Sequence, residues 1–103
     1  MAKIITVPKW CFPFGGYGLT LWKLIIIRED GDRDYLIAHE MKHVEQWTTI
    51  GFFKFPFYYI LELIENGYTN NHYEIEAREA GDKAVTFTPE QMKRFREACC
   101  GDN

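Results

Sequence analysis

Cysteine is scarce in this chain and odd in number: three in 103 residues, at Cys11, Cys99 and Cys100. That count is too sparse for a disulfide framework, and a reducing compartment fits it best. Basic charge is not in excess either. Twelve Lys and Arg against fifteen Asp and Glu leave a net charge of −3, and the cations are scattered, so no basic field exists to hold a phosphate backbone. Nucleic acid is therefore not an expected partner. The opening MAKIITVPKWCFPFGG offers one lysine and a four-residue apolar run before Pro8, short of the apolar region of a secretory signal, which makes a cytoplasmic location the expectation. Long apolar runs are missing too. The most hydrophobic stretch, residues 50–64, is interrupted by Lys54, Pro56 and Glu62 and falls short of the roughly 20 residues a bilayer-spanning helix needs. Repeats and low-complexity tracts are absent.

What remains is material for one core. A hydrophobic content of 47% and an aromatic content of 17% suffice for a single domain over residues 1–103, without a metal needed merely to fold. Residues 3–7 (KIITV) are a short β-branched run closed by Pro8, and Leu19 to Arg28 (LTLWKLIIIR) reads as a longer strand ended by the turn residues EDGD. The fold class expected is α+β: a small antiparallel sheet of two or three strands packed on about four helices. The first helix should start from a cap at Asp32 or Asp34 and run to about Ile50, before Gly51. A second is expected over about Pro56 to Glu65 ahead of Asn66-Gly67, a third from about His72 to Val85 capped by Asn70 or Asn71, and a fourth from about Pro89 to Ala98 after TFTPEQ.

The first of these helices carries the chemistry. Leu36, His39, His43, Trp47 and Ile50 form one stripe at three- and four-residue spacing, and Ile37, Met41, Val44 and Thr48 form a second. A helix apolar over most of its girth crosses an interior, so both histidines are expected to point inward. Residues four apart stand one above the other with Cβ atoms about 5–6 Å apart, which lets His39 and His43 close on one zinc ion at about 2.0–2.1 Å. Glu40 then lies about 100° round the helix, beside the metal and not on it. That is the place for a general base: zinc lowers the pKa of a bound water toward about 7, and Glu40 can take its proton. The pattern His-Glu-x-x-His arises in roughly half a per cent of shuffled orders of this composition, so its place on a buried stripe adds real weight. A satisfied pair of core histidines is the plainer alternative.

A catalytic zinc site needs a third protein ligand. NHYEIEAREAGDKA offers Glu74, Glu76 and Glu79 on one expected helix, with His72 a further candidate, and Glu74 is preferred because Ala77 and Gly81 lie along its face, small enough for close approach to the first helix. The plainer reading of Glu74 is a capping acid three residues after Asn71.

His39-Glu40-Met41-Lys42-His43-Val44-Glu45-Gln46, followed after one helix by Glu74-Ile75-Glu76-Ala77, resembles the gluzincin zinc metallopeptidases, and most of all their short single-domain members, the minigluzincins. The resemblance spans residues 35–84. It implies a zincin-like fold, one zinc ion held by His39, His43 and Glu74, Glu40 as base and acid, a peptide or protein substrate, and a strand within Leu19 to Arg28 whose edge aligns that substrate. Members often carry an acid four positions after the ligand glutamate, which orients a histidine from behind; here that position is Arg78. Some short members resemble zymogens whose C-terminal segment covers the cleft, a role open to the tail REACCGDN through Cys99 or Cys100 as a removable ligand; a frayed tail is the simpler reading. Tyr58, Tyr59, Tyr68, His72 and Tyr73 are the candidates for stabilising an oxyanion. The competing function is a catalytically silent zinc-binding domain that engages a protein or a membrane surface through residues 50–64.

Overall fold

The computed structural model describes residues 2–12 and 16–100. Strand β1 (Lys3–Val7) leads through a 3-10 turn at Lys9–Cys11 to β2 (Gly18–Leu21) and β3 (Leu24–Arg28), and helices α1 (Arg33–Ile50), α2 (Lys54–Asn66), α3 (His72–Ala84) and α4 (Pro89–Cys100) follow. The α+β class and the four helices agree with the sequence reading. The sheet does not agree in two respects.

First, Leu19 to Arg28 is not one strand but a tight hairpin, with Trp22 and Lys23 at the tip and β2 antiparallel to β3. No glycine, asparagine or proline marks this turn. Trp22 takes a left-handed φ of 59°, which costs an ordinary residue energy, and its indole packs edge-on against Phe52 with centroids 5.2 Å apart. Second, the sheet is mixed, not antiparallel. Its order is β1-β3-β2, and β1 runs parallel to β3 from Lys3 opposite Leu24 to Val7 opposite Arg28. The crossover a parallel pair requires is made by the 3-10 turn and β2 together, and it leaves β2 on an edge.

One face of the sheet is covered. Ile25 and Ile27 are fully buried and share a cluster with Leu36, Ile37, Ala38 and Val44 of α1, Ala84 and Met92. Helix α1 thus runs through the interior with the sheet on one side and α3 close on the other. Asp32 caps it, accepting from the Tyr35 N–H at 3.1 Å, and Asn71 caps α3 by accepting from Tyr73 N–H at 3.0 Å. A capping box opens α4: Gln91 N–H donates to Thr88 Oγ1, and Thr88 N–H donates to Gln91 Oε1. Cys99 rests against the core cluster, and its carbonyl accepts from Ala2 N–H at 3.0 Å. It is not among the residues grouped to receive a metal; the Cys100 thiol and residues 101–103 of the tail lie outside the described residues. No helix among the described residues is long and apolar enough to cross a membrane.

Candidate metal centre

Helices α1 and α3 meet where α3 is thinnest. Ala77 is fully buried, and a Cβ added at Gly81 would sit 2.5 Å from Tyr35 Cε2 on α1. This close approach, one turn and two turns beyond Glu74, carries that carboxylate onto the stripe of α1 that bears His39 and His43. All three side chains are buried, and each offers an atom within 4.8 Å of the other two. Glu74 divides its oxygens between the rings: Oε1 is 3.1 Å from His39 Nε2, and Oε2 is 3.2 Å from His43 Nε2. Donors bound tetrahedrally at about 2.0–2.1 Å would stand about 3.3 Å apart, so the spacing already suits a shared ion.

The surroundings decide which way the rings face. His43 Nδ1 lies 2.9 Å from Gln46 Oε1, and Gln46 Nε2 donates to the Tyr73 carbonyl at 3.0 Å. Because the amide nitrogen is committed to a carbonyl, the amide oxygen must face His43, so Nδ1 carries the proton and donates. In neutral imidazole that leaves a lone pair on Nε2 pointing at a carboxylate. Two acceptors 3.2 Å apart repel unless a proton or a cation lies between them, and His39, His43 and Glu74 are a group that could hold such a cation. The proton is the alternative: burial lowers the His43 pKa, but the hydrogen bond and charge of Glu74 outweigh it and the net shift is upward. Glu74 faces burial too, which pushes its carboxyl up, yet contacts with His39, His43 and Tyr59 hold it well below the usual carboxylate range. Tyr59 Oη donates to Glu74 Oε2 at 2.6 Å.

Glu40 stands beside this group and outside it. Its Oε2 is 3.8 Å from His39 Nε2, and Thr20 Oγ1 on β2 lies 2.9 Å from its Oε1. Burial raises its pKa, against the lowering effect of the two histidines and Thr20. Gly18 on the same strand leaves room for it, since a Cβ there would be 2.9 Å from Oε2. Glu40 is thus a buried carboxyl primed to hold a proton more readily than a surface glutamate does.

These groups line a cavity of about 870 Å³ bounded by β2, α1, α2 and α3. Of the tyrosines and histidine considered for an oxyanion, Tyr59 and Tyr68 line it, and Tyr58, His72 and Tyr73 do not. Burial and the charge of Glu74 push the Tyr68 hydroxyl up to about 12, so it stays a donor at neutral pH. His72 is exposed and pairs with Glu62 at 3.1 Å, and Glu76 points to solvent. Arg78 donates to the Thr69 carbonyl and does not reach behind His39. Alone among buried side-chain nitrogen and oxygen atoms of the described residues, His39 Nδ1 has no hydrogen-bond partner.

Three residues escaped the sequence reading. Gln46 lies three positions past His43, the spacing at which helical side chains touch, and that spacing was its available signal. Thr20 and Gly18 had none, because their role depends on the hairpin. Comparison with family models, curated proteins and solved structures finds no match to this chain.

Proposed function

We propose that the protein is a zinc-dependent metallopeptidase of gluzincin type. The observation that carries this reading is a second buried carboxylate, Glu40, held by Thr20 next to a His-His-Glu set whose donors it does not join. A merely structural ion has no use for it. Bound by His39, His43 and Glu74, zinc supplies Lewis acidity toward water and a peptide carbonyl. Glu40 takes the proton from the attacking water and returns it to the departing amine, so that one carboxyl serves as base and then as acid. Strand β2 gives an extended substrate a sheet edge along the cavity wall. We assign the developing oxyanion to Tyr68, whose hydroxyl keeps its proton and makes a weaker contact with Glu74 than Tyr59, which donates to that carboxylate at 2.6 Å.

The absent acid at Arg78 bears on strength. With nothing accepting from His39 Nδ1, that ring is a weaker electron donor and is less firmly aimed than His43. Modest turnover is the expectation.

Zinc content and hydrolysis of a mixed fluorogenic peptide library test the reading together. Glu40→Gln should keep stoichiometric zinc and the fold while hydrolysis falls by about 10²–10⁴. Substoichiometric zinc after native purification, or hydrolysis that survives the substitution, would remove the peptidase assignment. The second reading, a silent zinc domain that works through residues 50–64, draws on the exposed apolar face of α2, and it gains if zinc is present and no peptide is cleaved.

A further inference from the structure

Helix α2 has one buried residue, Phe55, although it is the most apolar helix of the chain. Its inward face is made of Phe55, Tyr59 and Glu62: Phe55 meets Trp47, Tyr59 and Tyr73, and Glu62 pairs with His72. On the opposite side Phe53, Phe57, Ile60 and Ile64 are 84%, 60%, 53% and 76% exposed. Their spacing of four, three and four residues is that of a knobs-into-holes seam, which is cut to receive another helix. Exposed apolar faces of this extent mark an interaction surface.

Charge says which helix fits. Lys54 follows Phe53 at one end of the seam and Glu65 follows Ile64 at the other, both exposed on the same flank and neither with an ion-pair partner among the described residues. Two antiparallel copies of α2 set Phe53 opposite Ile64 and Phe57 opposite Ile60, and bring each Lys54 toward the other copy's Glu65. The helix dipoles then oppose as well. A lipid surface fits less well, because an interfacial helix wants several basic residues on its polar face and α2 has one lysine against two glutamates.

We infer that the outer face of α2 is a self-complementary dimer interface in which two copies of the chain pair their α2 helices antiparallel. Ile60 belongs both to this seam and to the wall of the catalytic cavity, so the partner copy would border the entrance to the cleft. The inference does not depend on the proposed peptidase activity.

Sedimentation equilibrium of the full chain over a micromolar concentration series tests it, with far-UV circular dichroism and zinc content as controls of folding. A dimer is expected for the parent chain. Ile64→Asp should abolish it, and Lys54→Glu or Glu65→Lys alone should each weaken it about tenfold. The double reversal Lys54→Glu with Glu65→Lys should restore parent association. A parent chain monomeric throughout would overturn the inference, and so would a dimer indifferent to Ile64→Asp. Single reversals that change nothing, or a double reversal that fails to restore, would overturn the antiparallel pairing. A monomeric chain that pellets with phosphatidylcholine vesicles would assign the face to lipid instead.

Discussion

Helices α2 and α3 invert the usual distribution of polarity in opposite senses. Helix α3 takes a carboxylate into the interior, where Glu74 is 4% exposed, and α2 leaves phenylalanines and isoleucines in solvent. Each inversion costs energy in the isolated chain, and each names what offsets it. A buried carboxylate facing two imidazoles is stabilised by a cation or a proton; an exposed apolar stripe is stabilised by a cover. Fixed partners already serve the inner site: Gln46, Thr20 and Tyr59 aim side chains at or near the His-His-Glu set, and the Tyr73 carbonyl holds Gln46. The outer face of α2 has no such framing, and its specificity rests on two end charges alone.

The largest expected effect separates the two inversions outright. Glu74→Ala should weaken zinc binding by more than the about 10–100-fold typical when a supporting partner of a ligand is lost, while leaving self-association of the chain unchanged. Ile64→Asp should do the reverse. Equilibrium dialysis and sedimentation of both variants measure the pair, and a change in both properties from either substitution would show that the two regions are not independent.

A smaller effect sharpens the inner half. Gln46→Ala takes away the acceptor that fixes the proton on His43 Nδ1 and frees the Tyr73 carbonyl; zinc affinity, read by chelator competition, should drop by about 10–100-fold. Gln46→Glu keeps an acceptor for Nδ1 and should retain more affinity than the alanine variant. Equal losses in the two would mean that Gln46 only fills space.

A metal held by the triad would compete with protons for the same lone pairs, which gives the proposed site a pH signature. In metal-free protein the raised His43 pKa contributes stability that is fully present below the ordinary histidine value of 6.5 and is lost as pH rises through the raised one. The depressed Glu74 pKa contributes stability present above the ordinary 4.5 and lost as pH falls through the lowered one. The melting temperature in chelator should therefore be highest in mildly acidic solution. With zinc present the optimum should move upward, since ligation requires His43 Nε2 to be free of its proton. An optimum that ignores zinc would separate the triad from metal binding.

Much of the inner region was legible and much of the sheet was not, for a physical reason. The helix that carries both histidines, its cap narrowed to Asp32 or Asp34, the cap of the third narrowed to Asn70 or Asn71, and the Ala77 and Gly81 face are local statements about 3.6-residue periodicity and capping groups. The hairpin at Trp22-Lys23 is not local. Its positive φ falls on a tryptophan that packs on Phe52, a ring 30 positions away in sequence, and the chain reversal at that turn is what lets β3 run parallel to β1. Arg78 shows the other limit: the sequence revealed that no acid stands there, but the lack of any partner for His39 Nδ1 needed three dimensions.

The smallest expected effect lies at the contact that makes the inner region possible. Alanine at Gly81 should favour a helix by up to about 1 kcal/mol on intrinsic grounds. Here its methyl would meet the Tyr35 ring at 2.5 to 2.9 Å, and overpacking of this kind costs about 1–3 kcal/mol. The ring cannot withdraw freely, because it lies against His39 with centroids 5.7 Å apart, so relief of the clash would push on a ligand. Gly81→Ala is accordingly expected to lower stability by about 1 kcal/mol net and to weaken zinc binding slightly, measured by denaturant unfolding and chelator competition. Tyr35→Leu in the same chain should recover part of both losses, a coupling that distant independent sites do not show. If Gly81→Ala instead stabilises the protein and leaves zinc affinity alone, then α1 and α3 have slack between them, and the close approach that carries Glu74 inward is not enforced by this glycine.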